Sequence, residues 1–177
     1  GRPGDVETAL VHYEESLDIA RRLAGEDADN AGAASDLSLS LIKLGDFMFR
    51  RGGSNYAAAA LDLYNEALDI ARRLAEADPD SGERALGLSL SLEKVGCFMI
   101  WRGRHGDAEI ACLRCEECLS IRRRLAEADP ESADALRGLA VALHHVGDGL
   151  LQRGQPGDDE TAAAHYCEGI DIARRLV

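Results

Sequence analysis

Apolar residues fall at helical spacing along nearly the whole chain, in two alternating patterns. In the first, Leu37, Leu41, Leu44 and Met48 stand at i, i+4, i+7 and i+11. Leu88, Leu92, Val95 and Met99 repeat it, and so do Leu139, Leu143, Val146 and Leu150. Such spacing draws one apolar stripe along an α-helix, and the stripe is buried against a neighbour. In the second pattern the stripe is Leu61, Tyr64, Leu68, Ala71 and Leu74.

Both patterns keep one period. LDIARRL at 17–23 returns at 68–74, then as LSIRRRL at 119–125 and IDIARRL at 170–176. Ile19, Ile70, Ile121 and Ile172 thus recur every 51 residues without insertion. LSLSLIKLGDF from Leu37, LSLSLEKVGCF from Leu88 and LAVALHHVGDG from Leu139 take the same step. A fixed period of this kind marks stacked two-helix units that share a core. Seven helices are predicted, at about 5–25, 31–51, 55–76, 82–102, 105–127, 133–153 and 157–177. Residues 1–29 form an unpaired second helix, and 30–80, 81–131 and 132–177 form three helix pairs, all in one repeat domain.

Glycine and aspartate punctuate the repeat. Gly45, Gly96 and Gly147 lie inside the first helix of each pair, where glycine costs about 1 kcal/mol relative to alanine. Its return in every copy predicts close packing of a neighbouring helix. Gly52, Gly103 and Gly154 follow Arg51, Arg102 and Arg153. They are read as left-handed helix ends with a basic residue at the negative end of the dipole. Asp5, Asp107 and Asp158 are expected as N-caps. Asp78-Pro79 and Asp129-Pro130 mark the connectors between units.

Composition narrows the function. Only 5% of residues are aromatic and only four are proline, which favours long helices. A net charge of −12 repels phosphate backbones and anionic lipid, so neither nucleic acid nor membrane is expected as a partner. No stretch has the apolar length of a membrane span, and no signal peptide is visible. The first residue is glycine, so a piece of a longer protein is expected. Five cysteines, an odd number with Cys112, Cys115 and Cys118 crowded together, are unlike a secreted disulfide framework. A reducing cytoplasm is the expected location.

Leu44-Gly45, Gly52, Ala60, Tyr64, Ala67, Leu68 and Pro79 follow the order of conserved positions in tetratricopeptide repeats, which this chain resembles from about Asn30 onward. More narrowly, it is similar to a long-unit bacterial variety with LSxSLxKLGD and ALxxYxEALxIxRRLAxADP signatures, found in large multidomain signalling proteins. The unit is 51 residues instead of about 34, and the gap from Gly52 to Ala60 is wider than usual. The resemblance implies an all-α fold: a right-handed α-solenoid, a superhelix of antiparallel helix pairs. It also implies that the first helix of each pair lines a concave groove that holds a peptide or partner domain.

Within the first helices the leucine stripe repeats and the other side varies. The corresponding sets are Ile42, Glu93 and His144; Lys43, Lys94 and His145; Asp46, Cys97 and Asp148; Phe49, Ile100 and Leu151; and Arg50, Trp101 and Gln152. By the resemblance these face the groove. Phe49, Ile100, Trp101 and Leu151 are its apolar anchors, with Lys43, Arg50 and Lys94 as a charged rim. Trp101 stands out, since repeat packing gives no reason for a tryptophan at a variable position. Asp46 and Asp148 stand where relatives that clamp a terminal carboxylate would use asparagine, and their charge repels such a ligand.

The spacing C-x-x-C-x-x-C raises zinc, with His105 imaginable as a fourth ligand. However, Cys112, Cys115 and Cys118 replace Leu61, Tyr64 and Ala67, which are core positions, so small buried thiols are expected. His144 and His145 are adjacent and diverge on a helix. The arginine clusters at 21–22, 72–73, 122–124 and 174–175 lie near helix C-termini, where the dipole and local acids account for them. No phosphate loop, H-E-x-x-H or G-x-S-x-G is present. The expectation is a non-enzymatic protein-binding scaffold without cofactor or metal. The alternatives are self-association through the terminal helices and, more remotely, a metal site at the cysteines.

Overall fold

In the computed structural model, residues 5–27 and 29–176 are described. Among them the chain forms seven helices: α1 (Asp5–Glu26), α2 (Ala31–Arg51), α3 (Ser54–Ala77), α4 (Gly82–Arg102), α5 (Asp107–Ala128), α6 (Ala133–Arg153) and α7 (Asp158–Arg175). The fold is all-α, as the period predicts. The chain divides into two compact units, Gly1–Pro79 with α1–α3 and Asp80–Val177 with α4–α7. The division falls at the Asp78-Pro79 connector. Among the described residues no helix is long and apolar enough to cross a membrane.

In the first unit, α2 packs on both α1 and α3. Ser38 meets Ala67 and Asp46 meets Tyr64, so α2 and α3 run antiparallel. In the second unit α4–α5, α5–α6 and α6–α7 pack as antiparallel neighbours, and α4 lies along α6 one repeat later. The predicted stripes are the core: Leu41, Leu44, Leu92, Val95, Leu143 and Val146 are all at most 3% exposed. Tyr64, Leu68 and Ala71 are equally buried, whereas Leu37, Met48, Leu61 and Leu74 are half-buried.

The interior glycines do what their recurrence implies. A β-carbon on Gly45 would lie 2.7 Å from the Tyr64 ring, and one on Gly147 2.5 Å from the Tyr166 ring. On Gly96 it would meet the Cys115 sulfur at 2.6 Å. Any side chain there would push the paired helix away.

The turns correct two expectations. Gly103 and Gly154 adopt the left-handed conformation, but Gly52 has φ 72° and ψ 179°, extended in ψ and open to glycine alone. Asp107 and Asp158 are not N-caps. Each is the first residue inside its helix, after Gly106 or Gly157. Their carboxylates turn back to accept from the backbone N–H of Arg104 and Gln155 and from the guanidinium groups of Arg102 and Arg153. The preceding arginine attracts them more strongly than the exposed amides of their own helix. The Asp5 side chain lies outside the described residues. The side-chain caps are instead Asn30, Ser81 and Ser132, at the start of each first-type helix.

Candidate protein-binding face

The copy-variable positions were expected to form one surface, and in each unit the structure sorts them by depth. In the first unit Lys43 and Arg50 are exposed on α2, and Phe49 is half-buried. Ile42 is 4% exposed and belongs to the core, which corrects its assignment to an accessible wall. Its aliphatic side chain gains by leaving water, unlike Glu93 and His144 at the same repeat position.

In the second unit α4 and α6 bring their variable residues together. Glu93, Lys94 and Cys97 on α4 lie near His145 and Asp148 on α6, close enough for their charges to act on one another. Burial, with Glu93 beside it, pushes the Cys97 thiol up to about 12. Burial also holds the His145 imidazole below its ordinary range, against the pull of Glu93 and Asp148. At the far end of the two helices Gln152 Nε2 donates to the Ile100 carbonyl at 2.9 Å. Beside that bridge Trp101 is 55% exposed and Leu151 50%. The Trp101 ring leans on Phe98, with centroids 5.6 Å apart, and Phe98 itself is buried. The indole is thus braced from below and open above.

Asp46 and Asp148 have a structural duty that the pattern of variation did not reveal. Tyr64 donates its hydroxyl to Asp46 at 2.7 Å, and Tyr166 donates to Asp148 at 2.7 Å. Burial and this bond together push the Tyr166 hydroxyl up to about 12. In the middle copy the pair becomes Cys97 and Cys115. Both members change together, so the variation at this position follows the partner helix. The shared 18-residue separation of the two pairs was the available signal.

Cys112, Cys115 and Cys118 are at most 2% exposed, at the core positions their repeat equivalents predict. Cys118 donates to the Ser89 carbonyl, and burial pushes its thiol up to about 11. Burial also raises Cys112 and Cys115. Thiols held neutral in this way are poor nucleophiles and poor ligands. Among the described residues no three histidine, cysteine or acidic side chains are grouped to hold a metal ion.

No family model matches the chain. Protein NCA1 of Arabidopsis thaliana is 30% identical over 92 residues, which is 52% of this chain and 21% of that protein. Solved structures share the fold at lower identity. The DHF58 filament matches over 97% of this chain and 82% of its own, with 21% identity and a TM-score of 0.57. The de novo designed helical repeat protein DHR64 matches over 99% and 86%, at 22% and 0.56. BtubC from P. vanneervenii matches over 98% and 59%, at 20% and 0.57. The chain is therefore similar in fold to a designed helical repeat protein and to BtubC.

Proposed function

We propose that the chain is a protein-interaction scaffold of tetratricopeptide type, a regulatory part of a larger bacterial cytoplasmic protein, with no catalytic activity of its own. Its binding face is the end of α4 and α6, anchored by Trp101 and Leu151. The observation that carries this reading is the half-exposed tryptophan, braced on Phe98 and set beside the Gln152–Ile100 bridge. A rigid, partly open indole flanked by leucine and by charged neighbours is the chemistry of an interface anchor. Ile100 and Gln152 form its surroundings; Phe49 and Arg50 are the corresponding positions in the first unit. The test is selection of binding peptides from a random library on the intact chain, followed by titration of the winners. Trp101→Ala weakens binding at least tenfold, about 1.4 kcal/mol. Peptides that bind the variant as tightly as the parent would remove the face.

A second reading is self-association. It is favoured by α1, where Val11 is 57% and Leu23 49% exposed. One protein of similar fold is itself a filament. Sedimentation velocity over a hundredfold concentration range decides it, and a constant monomer mass eliminates it.

A further inference from the structure

Arg122 is a charge where the repeat otherwise keeps a small residue. Its equivalents are Ala20, Ala71 and Ala173, of which Ala20 and Ala71 are core. Glu93 likewise stands where the first copy has the core residue Ile42 and the third has His144. The two changes meet in space. Arg122 of α5 reaches Glu93 of α4, Nη2 to Oε2, at 3.8 Å, with only 12% and 20% of the two side chains exposed. From the other side α6 closes over the guanidinium: a β-carbon on Gly138 would lie 2.7 Å from Nη1. Arg122 is thus held between the two first-type helices that flank α5.

This arrangement is a poor way to gain stability. The pair is longer than a hydrogen bond, and among the described residues the buried Nε of Arg122 finds no acceptor. Desolvating two charges costs more than such a contact returns, and apolar residues of similar volume would hold the seam at least as well. What a buried pair does supply is discrimination, because removing either partner leaves an uncompensated charge inside the protein. Discrimination matters here. The first-type helices are nearly interchangeable, with LSLSLIKLGDF in α2 and LSLSLEKVGCF in α4, so their leucine stripes hardly tell one from the other. Of the three, only α4 carries a carboxylate at this position; α2 offers isoleucine and α6 an imidazole.

We propose that Glu93 and Arg122 form a register key, which admits α4 beside α5 and rejects the first-type helices of other copies, in the same chain or in a second one. Misassembly is a characteristic failure of repeat proteins. A helix with isoleucine in place of Glu93 leaves Arg122 buried without a carboxylate, which disfavours that pairing roughly a hundredfold or more. The key needs no ligand and is independent of the Trp101 face.

The test compares refolding from urea of the intact chain and three variants. Trp101, the sole tryptophan, lies on α4, so its indole N–H resonance reports how many environments α4 finds. The parent gives one resonance. Glu93→Ile, which strands Arg122, lowers the folding constant at least tenfold. Adding Arg122→Ala restores the residue types of the first copy. It recovers the parent's urea midpoint or exceeds it, yet splits the indole resonance and yields at least fivefold more oligomer than the parent as protein concentration rises. Glu93→Arg/Arg122→Glu rebuilds the pair with its charges exchanged and returns a single resonance. If Glu93→Ile/Arg122→Ala refolds to one resonance without added oligomer, the proposal is overturned. The same follows if that double variant is less stable than Glu93→Ile alone, since the pair is then a plain stabilising contact. A split resonance in the charge-exchanged variant also overturns it.

Discussion

The three hairpin turns begin alike, with an arginine followed by a glycine, and close differently. In the second unit Arg102 holds Asp107, and Arg153 holds Asp158, each through two hydrogen bonds to a carboxylate at most 5% exposed. The same carboxylate also accepts from the turn backbone, so one side chain fixes the loop, the arginine and the start of the next helix. In the first unit the equivalent of that aspartate is Tyr56. Arg51 lies over its ring at 5.1 Å and reaches Glu7 of α1 at 3.8 Å. Without the carboxylate the turn takes another path, and α3 starts at Ser54, earlier in the repeat than α5 or α7. A bidentate buried pair specifies one geometry. A stacked cation specifies only proximity.

The largest effect is expected where the pair is broken. Asp107→Ala leaves Arg102 without its carboxylate and Arg104 N–H without its acceptor, and should destabilise the second unit by about 3 kcal/mol in urea unfolding. The same pairs set the acid response. The guanidinium partners hold the Asp107 and Asp158 carboxyls below the usual range. Their stabilisation is therefore complete above the unfolded value of about 3.9 and is lost as pH falls through the lower folded values. Amide exchange at Arg104 and Gln155 should accelerate in that acid window, and Asp107→Ala should abolish the change at Arg104.

The tyrosine–aspartate and cysteine–cysteine pairs offer a second, smaller contrast. Cys97→Asp buries a further carboxylate beside Glu93 and Asp148 without a tyrosine hydroxyl to donate to it, at an expected loss of about 2 kcal/mol. Adding Cys115→Tyr should recover about 1 kcal/mol of this by rebuilding the bond seen at Asp46 and Asp148. Strict additivity in the double-mutant cycle would show that the two positions do not communicate. The smallest effect belongs to the first turn: Tyr56→Ala should cost about 0.5–1 kcal/mol, read by thermal unfolding. A loss as large as that of Asp107→Ala would mean that the stacked turn is as specific as the paired one.

Thiol reactivity separates surface from core without mutation. Cys167 is exposed, while Cys112, Cys115 and Cys118 are buried and their thiols raised by burial. A disulfide reagent should therefore modify Cys167 first in the native chain and all five cysteines in guanidinium, as followed by mass spectrometry.

Periodicity alone placed the helices to within two or three residues, because burial of one stripe per helix imposes the spacing that the eye detects. The glycines at 45, 96 and 147 were legible for the same reason: their cost is tolerated only where another helix comes close. Less was legible at the candidate face. Ile42, Asp46 and Asp148 vary or recur in ways that look like surface. Yet Ile42 is core and the two aspartates answer tyrosines 18 residues away. A comparison of copies sees each position separately and misses partners that change together.

By itself the sequence determined where the helices lie, that they recur with a 51-residue period, where each helix buries its stripe, and that Cys112, Cys115 and Cys118 are core. Those properties follow from local periodicity and from equivalence between copies. Only the tertiary structure decided that Asp107 and Asp158 bind the arginine behind them instead of capping the helix ahead. It likewise decided that Trp101 stands open while Ile42 is closed. Each of these depends on which neighbour competes for a side chain, and that competition exists only once distant segments have been brought together.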